Sequence, residues 1–360
     1  MDSERRLGLV ARNLEEIVTL DELKSLLETN EKPRAYIGYE PSGLVHIGWL
    51  IWMLKARDLV EAGLDFIVLE ATWHAYINDK LGGDMDLIRS AAGLVRKVLE
   101  SIGLPESRVT FIDAEKLASD KDYWGLVIRV LKNASLARVK RALTIMGRRA
   151  DEAELDSSKI IYPAMQVADI FYLDLDVAMG GMDQRKAHML ARDLSKKLGF
   201  KKPVAIHTPI LTGLQGVSRM EQGVEVDELY VEAKMSKSVP GTAIWVHDEP
   251  EHIESKLRKA YCPPRETRFN PVLEINKFLL FQQEGFKLEV DRPAKYGGPV
   301  EFHSYGELEE AYAKGDLHPL DLKNATARAL SEMLEPIRRA LKSDKRTVEL
   351  IKILSGKVTR

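Results

Sequence analysis

Apolar positions along the chain first recur at helical spacing and then alternate between short runs and helical stretches. Residues 13–30 (NLEEIVTLDELKSLLETN) predict one or two amphipathic helices, broken near Thr19 and Asp21. After Pro33, RAYIGYE predicts a strand, Pro41-Ser42-Gly43 is turn chemistry, and Ile47, Leu50, Ile51 and Leu54 fall at helical spacing. A second strand is predicted at 64–69, after a helix stop at Gly63. A helix over 84–102 ends at Gly103, and 108–112 makes a third strand. This alternation argues a parallel sheet wrapped by helices. Strands near Val177 and at 204–206 extend it, and the stretch 120–173 between reads as helical.

From about Asp248 the pattern changes to helices without strands, at 248–260, 271–283, 304–313 and 321–342. Asp248 followed by Pro250 reads as a helix start, and the run from Lys342 as a charged, solvated helix. The boundary is expected in 238–250. That gives an α/β domain over 1–245, with a helical insertion at about 120–160, and an all-helical domain over 246–360.

Composition narrows the class. A chain of 360 residues exceeds the usual single-domain size, and 45% hydrophobic content supports a large core. No apolar run approaches membrane-spanning length, and DSERR after Met1 carries no secretory pattern. Cys262 is the single cysteine, so no internal disulfide is possible and a reducing, cytoplasmic location is expected. A net charge of −2 gives no bulk attraction for nucleic acid, so any RNA affinity must come from local patches. Charged residues at 30% with few Asn and Gln lean towards heat tolerance. No His/Cys cluster suggests zinc, and no protein-bound metal is expected.

Candidate chemistry begins at the first predicted strand. Tyr36-Ile-Gly-Tyr-Glu-Pro-Ser-Gly-Leu-Val-His46-Ile-Gly48 runs strand, turn, helix, the place where α/β sheets bind ligands. Gly38 and Gly48 let a nucleotide approach the backbone, and the helix N-terminus offers N–H groups to phosphate. His46, expected at the helix's first turn, suits an α-phosphate that gains charge during attack. A plain strand–helix corner accounts for the segment equally well. The second signal is Lys234-Met-Ser-Lys-Ser238, where two lysines three apart suit a mobile loop that neutralises a triphosphate.

Together these motifs resemble the HIGH and KMSKS signatures of class I aminoacyl-tRNA synthetases. Y-I-G-Y-E-P-S-G-L-V-H-I-G in particular resembles the tyrosyl branch of archaeal and eukaryotic type. The likeness continues through Y-P-A-M-Q-V-A-D, G-G-M-D-Q-R-K and H-P-L-D-L-K-N, over roughly residues 30–340. It implies a Rossmann-like parallel sheet with a helical insertion, followed by an all-helical anticodon-binding domain. Two departures are plain: Trp49 stands where the family has the second His of HIGH, and 215–233 is longer and more acidic than expected.

Tyr162, Gln166 and Asp169 are spaced four and three apart, so they share one face of a mostly apolar helix. Read alone, this polar line is an internal hydrogen-bond network. The resemblance implies that Asp169 and Tyr36 hold a tyrosine phenol, while Tyr162, Gln166 and Gln184 hold its ammonium group. His74, in T-W-H-A-Y at the expected end of the second strand, reads equally as a minor pocket residue or a core histidine. Gly180-Gly181-Met182-Asp183 follows a strand and precedes a helix; Asp183 suits ribose hydroxyls or a helix cap.

The implied reaction is attack of the tyrosine carboxylate on the α-phosphorus of ATP, release of pyrophosphate, then transfer to tRNA. His46, Lys234 and Lys237 would stabilise the phosphates; Gly38, Gly48, Asp183, Met235 and Lys237 would contact ATP, with Mg²⁺ accompanying it. A basic stretch holds Arg138, Lys140, Arg141, Arg148 and Arg149; by default it is a solvated helix face. In the family this insertion contacts the acceptor stem and part of a dimer interface, which points to Arg138, Lys140 and Arg141. Arg185 and Lys186 are plausible partners of the tRNA end, and Tyr296, His318 and Asp321 of the anticodon. A homodimer is implied. Rival readings are a tryptophanyl synthetase, a nucleotidyltransferase, or a catalytically silent RNA-binding relative.

Overall fold

The structure is a computed structural model that describes residues 2–147, 156–216, 234–235 and 241–357. By contact it divides into two compact units. One comprises Met1–Gly43, Trp52–Pro209 and Leu350–Arg360; the other comprises Leu44–Ile51 and Ile210–Glu349. The division thus falls between Pro209 and Ile210, ahead of the pattern change at 238–250, and Leu44–Ile51 belongs with the later residues.

The first unit is built on six strands, β1 (Glu16–Val18), β2 (Arg34–Tyr39), β3 (Asp65–Glu70), β4 (Thr110–Asp113), β5 (Val177–Gly181) and β6 (Val204–Thr208). Their order is β1-β6-β5-β2-β3-β4, parallel except for β1, which pairs antiparallel with β6. Among the described residues, the unit's helices up to Pro209 are α1 (Ser3–Ala11), α2 (Leu20–Thr29), α3 (Gly48–Glu61), α4 (Thr72–Ile77), α5 (Met85–Ser101), α6 (Ala114–Ala118), α7 (Lys121–Asn133), α8 (Leu136–Ala142), α9 (Tyr162–Tyr172) and α10 (Arg185–Leu198). Of these, α3 begins in Leu44–Ile51 and continues into the first unit.

Two expectations for this unit change. Residues 13–30 hold a strand as well as a helix: Glu16–Val18 takes the free edge of β6, and Thr19 starts α2 through a capping box with Glu22. His74 lies inside α4, past the end of β3. One face of the sheet, carrying Tyr36, Ile67, Leu69 and Ala178, packs with residues of α7, α9 and α10 in a single buried cluster.

Buried charge fixes the N-terminal segment. Lys55 Nζ on α3 reaches Asp58 Oδ2 at 2.9 Å and the carbonyls of Leu9 at 3.0 Å and Val10 at 3.3 Å. Arg12 Nε donates to the same Asp58 carboxylate at 2.9 Å. Burial pulls the Lys55 ammonium below its ordinary range, and Asp58 opposes that pull.

The second unit holds the helices Pro250–Lys259, Pro271–Phe278, Tyr305–Lys314 and Pro319–Lys342, with Pro250–Lys259 packed along Pro319–Lys342. A two-stranded antiparallel hairpin, Leu288–Val290 with Val300–Phe302, adds strands where none was expected; three residues each are too few to show a period of two. Asp248 does not cap the following helix. Glu249 takes that position, and Asp248 Oδ2 instead accepts from the Trp245 N–H at 2.8 Å. Past Lys342 a further helix, Lys345–Ser355, forms as expected.

Asp58→Ala leaves the Lys55 ammonium buried without its carboxylate. It should destabilise the protein by about 3 kcal/mol, read as a lower urea midpoint; an unchanged midpoint contradicts this account of the anchor.

Candidate active site

The strand order reverses at β2, whose neighbours are β3 on one side and β5 on the other. Open α/β sheets bind ligands beyond the carboxyl ends of strands at such a switch point. There β2 delivers Tyr36 and Gly38 and leads to Glu40, while β5 ends in Gly180 and Gly181 before the turn Met182–Gln184. A methyl at Gly38 would meet only ordinary contacts, the nearest 3.5 Å from the Tyr36 ring, and the residue is exposed. Packing therefore does not demand that glycine, which fits an open approach to the strand end.

Helix α9 forms one wall. It starts with Pro163 in its first turn, and apolar residues surround it, so it is buried along most of its length. Its polar line ends at Asp169, only 2% exposed. Asp169 Oδ1 accepts from the Tyr123 hydroxyl at 2.8 Å, and Oδ2 lies 3.1 Å from His74 Nε2. That histidine contact is off the N–H axis and makes no hydrogen bond. Burial and then the Asp169 charge push the Tyr36 and Tyr123 phenols well above their ordinary range, so both stay protonated as donors.

One turn back along α9, Gln166 Nε2 donates to Gln184 Oε1 at 3.2 Å, and Gln184 Nε2 donates to Ile145 O at 3.0 Å. Gln166 Oε1 is buried with no hydrogen-bond partner among the described residues. Such an orphan acceptor, costing about 1–3 kcal/mol, marks a place for a ligand donor. Tyr162 Oη donates to Glu40 Oε1 at 2.7 Å, and Asn78 Nδ2 donates to the same carboxylate at 2.9 Å. The sequence reading missed Glu40, Asn78 and Tyr123. Glu40 stood inside the quoted motif, one residue past the strand, and a buried tyrosine on α7 needs a polar partner.

Gly180 sets the second wall. An added Cβ there would lie 2.9 Å from Gln184 Cβ and 3.0 Å from the His188 ring, so only glycine lets Gln184 fold back over the strand end. Behind it, His188 Nδ1 sits 3.0 Å from His207 Nε2, and His207 Nδ1 sits 2.9 Å from Glu16 Oε2. Burial drives His188 well below its ordinary value, so it is neutral. Glu16 also accepts from Arg185 Nε at 2.8 Å.

In the second unit, His46 precedes the helix instead of standing in its first turn, because α3 begins at Gly48. It forms a bridge with Trp245, and the flanking Ile47 N–H donates to Ile244 O at 2.9 Å. The buried ring lies over Gly48, where a Cβ would come within 3.0 Å, and meets Trp49 and Trp245 edge-on at 6.2 and 6.3 Å between centroids. Lys234 bridges to Thr212, and buried Met235 donates its N–H to Leu211 O at 2.8 Å. Thr212 is itself held by Glu274, through its N–H at 2.8 Å and its hydroxyl at 3.0 Å. Lys237 lies outside the described residues, as do Arg148 and Arg149 and most of 215–233.

The remaining candidates are dispersed. Arg138 pairs with Asp193, Lys140 and Arg141 are exposed, and Lys186 donates to Thr144 Oγ1 at 3.3 Å. Asp183 follows Gly180-Gly181 in the short 3₁₀ turn Met182–Gln184, so it caps no helix. His318 caps the helix Pro319–Lys342, its Nδ1 accepting from the Leu320 N–H at 3.2 Å, and Asp321 stands in that first turn. Tyr296 closes the turn Ala294–Tyr296.

Residues 28–222 and 226–335 match the family described as class I tRNA synthetases, W and Y. A tyrosine–tRNA ligase of Aeropyrum pernix is 65% identical over 362 residues, covering 100% of this chain and 99% of that protein. One of Sulfurisphaera tokodaii is 58% identical over 360 residues, covering 100% and 99%. The solved tyrosyl-tRNA synthetase of Pyrococcus horikoshii, complexed with L-tyrosine, superposes with a TM-score of 0.91 at 43% identity, covering 98% of this chain and 100% of that one.

Gly180→Ala should push Gln184 off Gln166; if Gln184 lines the site for the amino acid, binding of L-tyrosine should weaken about tenfold by calorimetric titration, as for one lost hydrogen bond to a charged group. Unchanged affinity would show that Gln184 takes no part in binding.

Proposed function

The chain belongs to the class I tRNA synthetases of the tryptophanyl and tyrosyl family; its activity is that of an archaeal-type tyrosine–tRNA ligase, and we propose how its residues divide that work. The observation that carries the assignment is the pair of polar ends along α9. A buried carboxylate at Asp169 matches a phenolic hydroxyl, and the orphan Gln166 Oε1 matches an ammonium group. Tyr36 and Asp169 take the phenol. Tyr162, Gln166 and Gln184 surround the ammonium, and Glu40, bonded to Tyr162 and paired with Lys80 at 3.6 Å, brings a carboxylate to that end of the site.

Specificity follows from the same geometry. Phenylalanine fills the space but leaves the buried Asp169 and Tyr36 groups without a partner. A site built to bond a hydroxyl rejects the analogue that lacks it, a rule for which tyrosyl synthetases are themselves the standard illustration. An indole matches an acid-plus-phenol pair less well, and the relatives at 65% and 58% identity are tyrosine ligases, so the tryptophanyl reading is not favoured.

Activation needs no side-chain nucleophile: the tyrosine carboxylate attacks the α-phosphorus of ATP, and pyrophosphate leaves. The protein supplies position and charge. The nucleotide roles fall to Gly38 and Asp183 in the first unit and to Gly48 and Met235 in the second, with His46 for the α-phosphate and Lys234 with Lys237 for the departing phosphates. Mg²⁺ arrives as the counter-ion of ATP, held largely through phosphates and water. For tRNA, Arg138, Lys140 and Arg141 contact the acceptor stem, Arg185 and Lys186 its end, and Tyr296, His318 and Asp321 the anticodon. Release of Arg185 from Glu16 and Arg138 from Asp193 would accompany that docking. A homodimer is supported by apolar side chains left exposed on the insertion, Ile128 at 64% and Leu136 at 58%. No helix among the described residues is long and apolar enough to cross a membrane. The single cysteine, Cys262, suits the reducing cytoplasm proposed as the site of action.

Pyrophosphate–ATP exchange with each amino acid offered singly, without tRNA, tests the reading. Exchange with tyrosine alone is expected; exchange with tryptophan, or silence from folded protein, overturns it. His46→Ala should lower kcat for exchange about a hundredfold with little change in KM for tyrosine. A rise in that KM at constant kcat would place His46 in amino-acid binding instead.

A further inference from the structure

Resting on that reading of the pocket, the geometry around Asp169 singles out a side chain that no motif marks. Tyr123 is fully buried on α7, and its hydroxyl donates to Asp169 Oδ1 at 2.8 Å; its approach to Met165 O is longer, 3.4 Å. Trp124 and Tyr172 meet its ring edge-on, with centroids at 5.8 and 5.6 Å, which fixes the ring plane. On the carboxylate's other side stands His74, buried, with Nε2 at 3.1 Å from Oδ2. Neither ring nitrogen of His74 has a hydrogen-bond partner among the described residues, and its ring packs edge-on against Tyr162 at 5.1 Å. The two sides of Asp169 are therefore unequal. Oδ1 is occupied by a firm protein donor, while Oδ2 has only a misaligned neighbour.

We propose that Tyr123 is a positioning residue for specificity: by engaging Oδ1 it turns Oδ2, with His74 beside it, towards the phenolic hydroxyl of the substrate. A buried carboxylate that accepts a charge-assisted hydrogen bond at one oxygen has its rotamer set before the amino acid arrives. Without the Tyr123 hydroxyl it is free to swing, and a displaced Oδ2 is a weaker acceptor for tyrosine. Phenylalanine makes no bond there and is unaffected. Tyr123 thus acts through Asp169, on discrimination more than on turnover.

The test is pyrophosphate–ATP exchange by full-length Tyr123→Phe, with tyrosine and phenylalanine as substrates, beside a melting curve. The substitution keeps the ring and removes only the donor. The expected result is a rise of about tenfold or more in KM for tyrosine, with kcat falling less than KM rises. The KM for ATP and the kcat/KM for phenylalanine stay unchanged, so the tyrosine-to-phenylalanine ratio falls by the same factor. An unchanged ratio overturns the proposal; so does a parallel loss with tyrosine, phenylalanine and ATP, which marks a structural role. If Tyr123→Phe does not fold, the hydroxyl serves the fold and not discrimination, and that outcome overturns the proposal as well. Wild-type protein that fails to exchange with tyrosine overturns the underlying pocket reading instead.

Discussion

A carboxylate that is 2% exposed constrains everything around it. Removing Asp169 from water is costly unless polar groups meet it, and those groups come from separate parts of the chain. Tyr123 arrives on α7, His74 on α4, and Tyr36, within the field of the same charge, on β2. The parallel sheet and the helical insertion must therefore be assembled correctly before the charge is tolerable. The same assembly leaves part of that carboxylate free to recognise a hydroxyl. Stability of the fold and selectivity of the pocket share one group, so they cannot be tuned independently.

The polar end of α9 near Gln166 works by a different rule. Its groups are mostly neutral, arranged as a short chain from Gln166 through Gln184 to the carbonyl of Ile145, with one acceptor left over. Charge enters through Glu40, held by Tyr162 and Asn78. On the proposed reading, an ammonium group meets dipoles first and a carboxylate behind them, which would orient it without the desolvation cost of a bare ion pair. In the second unit the departure from the HIGH pattern has a physical account as well. Trp49 packs edge-on against His46, and Trp245 does the same. Aromatic edges can fix an imidazole plane, so the indole keeps an orienting role at this position even though it lacks a second imidazole's acceptor nitrogen.

Much of this was legible in the sequence because it is local. The strands β2, β3, β5 and β6, the helix carrying Leu50, Ile51 and Leu54, and the face shared by Tyr162, Gln166 and Asp169 all follow from periodicity and turn chemistry. The edge strand Glu16–Val18 was not legible, since three residues carry no period and their pairing with β6 is long-range. The hairpin Leu288–Val290 with Val300–Phe302 escaped for the same reason. His74 was placed at a strand end because one short helical turn, Thr72–Ile77, looks like a strand's continuation. Glu40, Asn78 and Tyr123 were missed because their roles come from partners distant in sequence: Tyr123 meets Asp169 across 46 positions and Tyr162 meets Glu40 across 122. No spacing rule reaches that far. The division of the chain between Pro209 and Ile210 likewise depends on contacts, whereas composition changes only later.

The central claim, that the Asp169 carboxylate selects tyrosine, is tested most directly by the ratio of kcat/KM for tyrosine to that for phenylalanine in Asp169→Asn. Asparagine keeps the shape and removes the charge. The account predicts that the ratio falls by about a hundredfold, through loss with tyrosine and little change with phenylalanine, in a protein that still folds. A ratio that stays at the wild-type value would contradict it and would move the recognition of the hydroxyl to other groups.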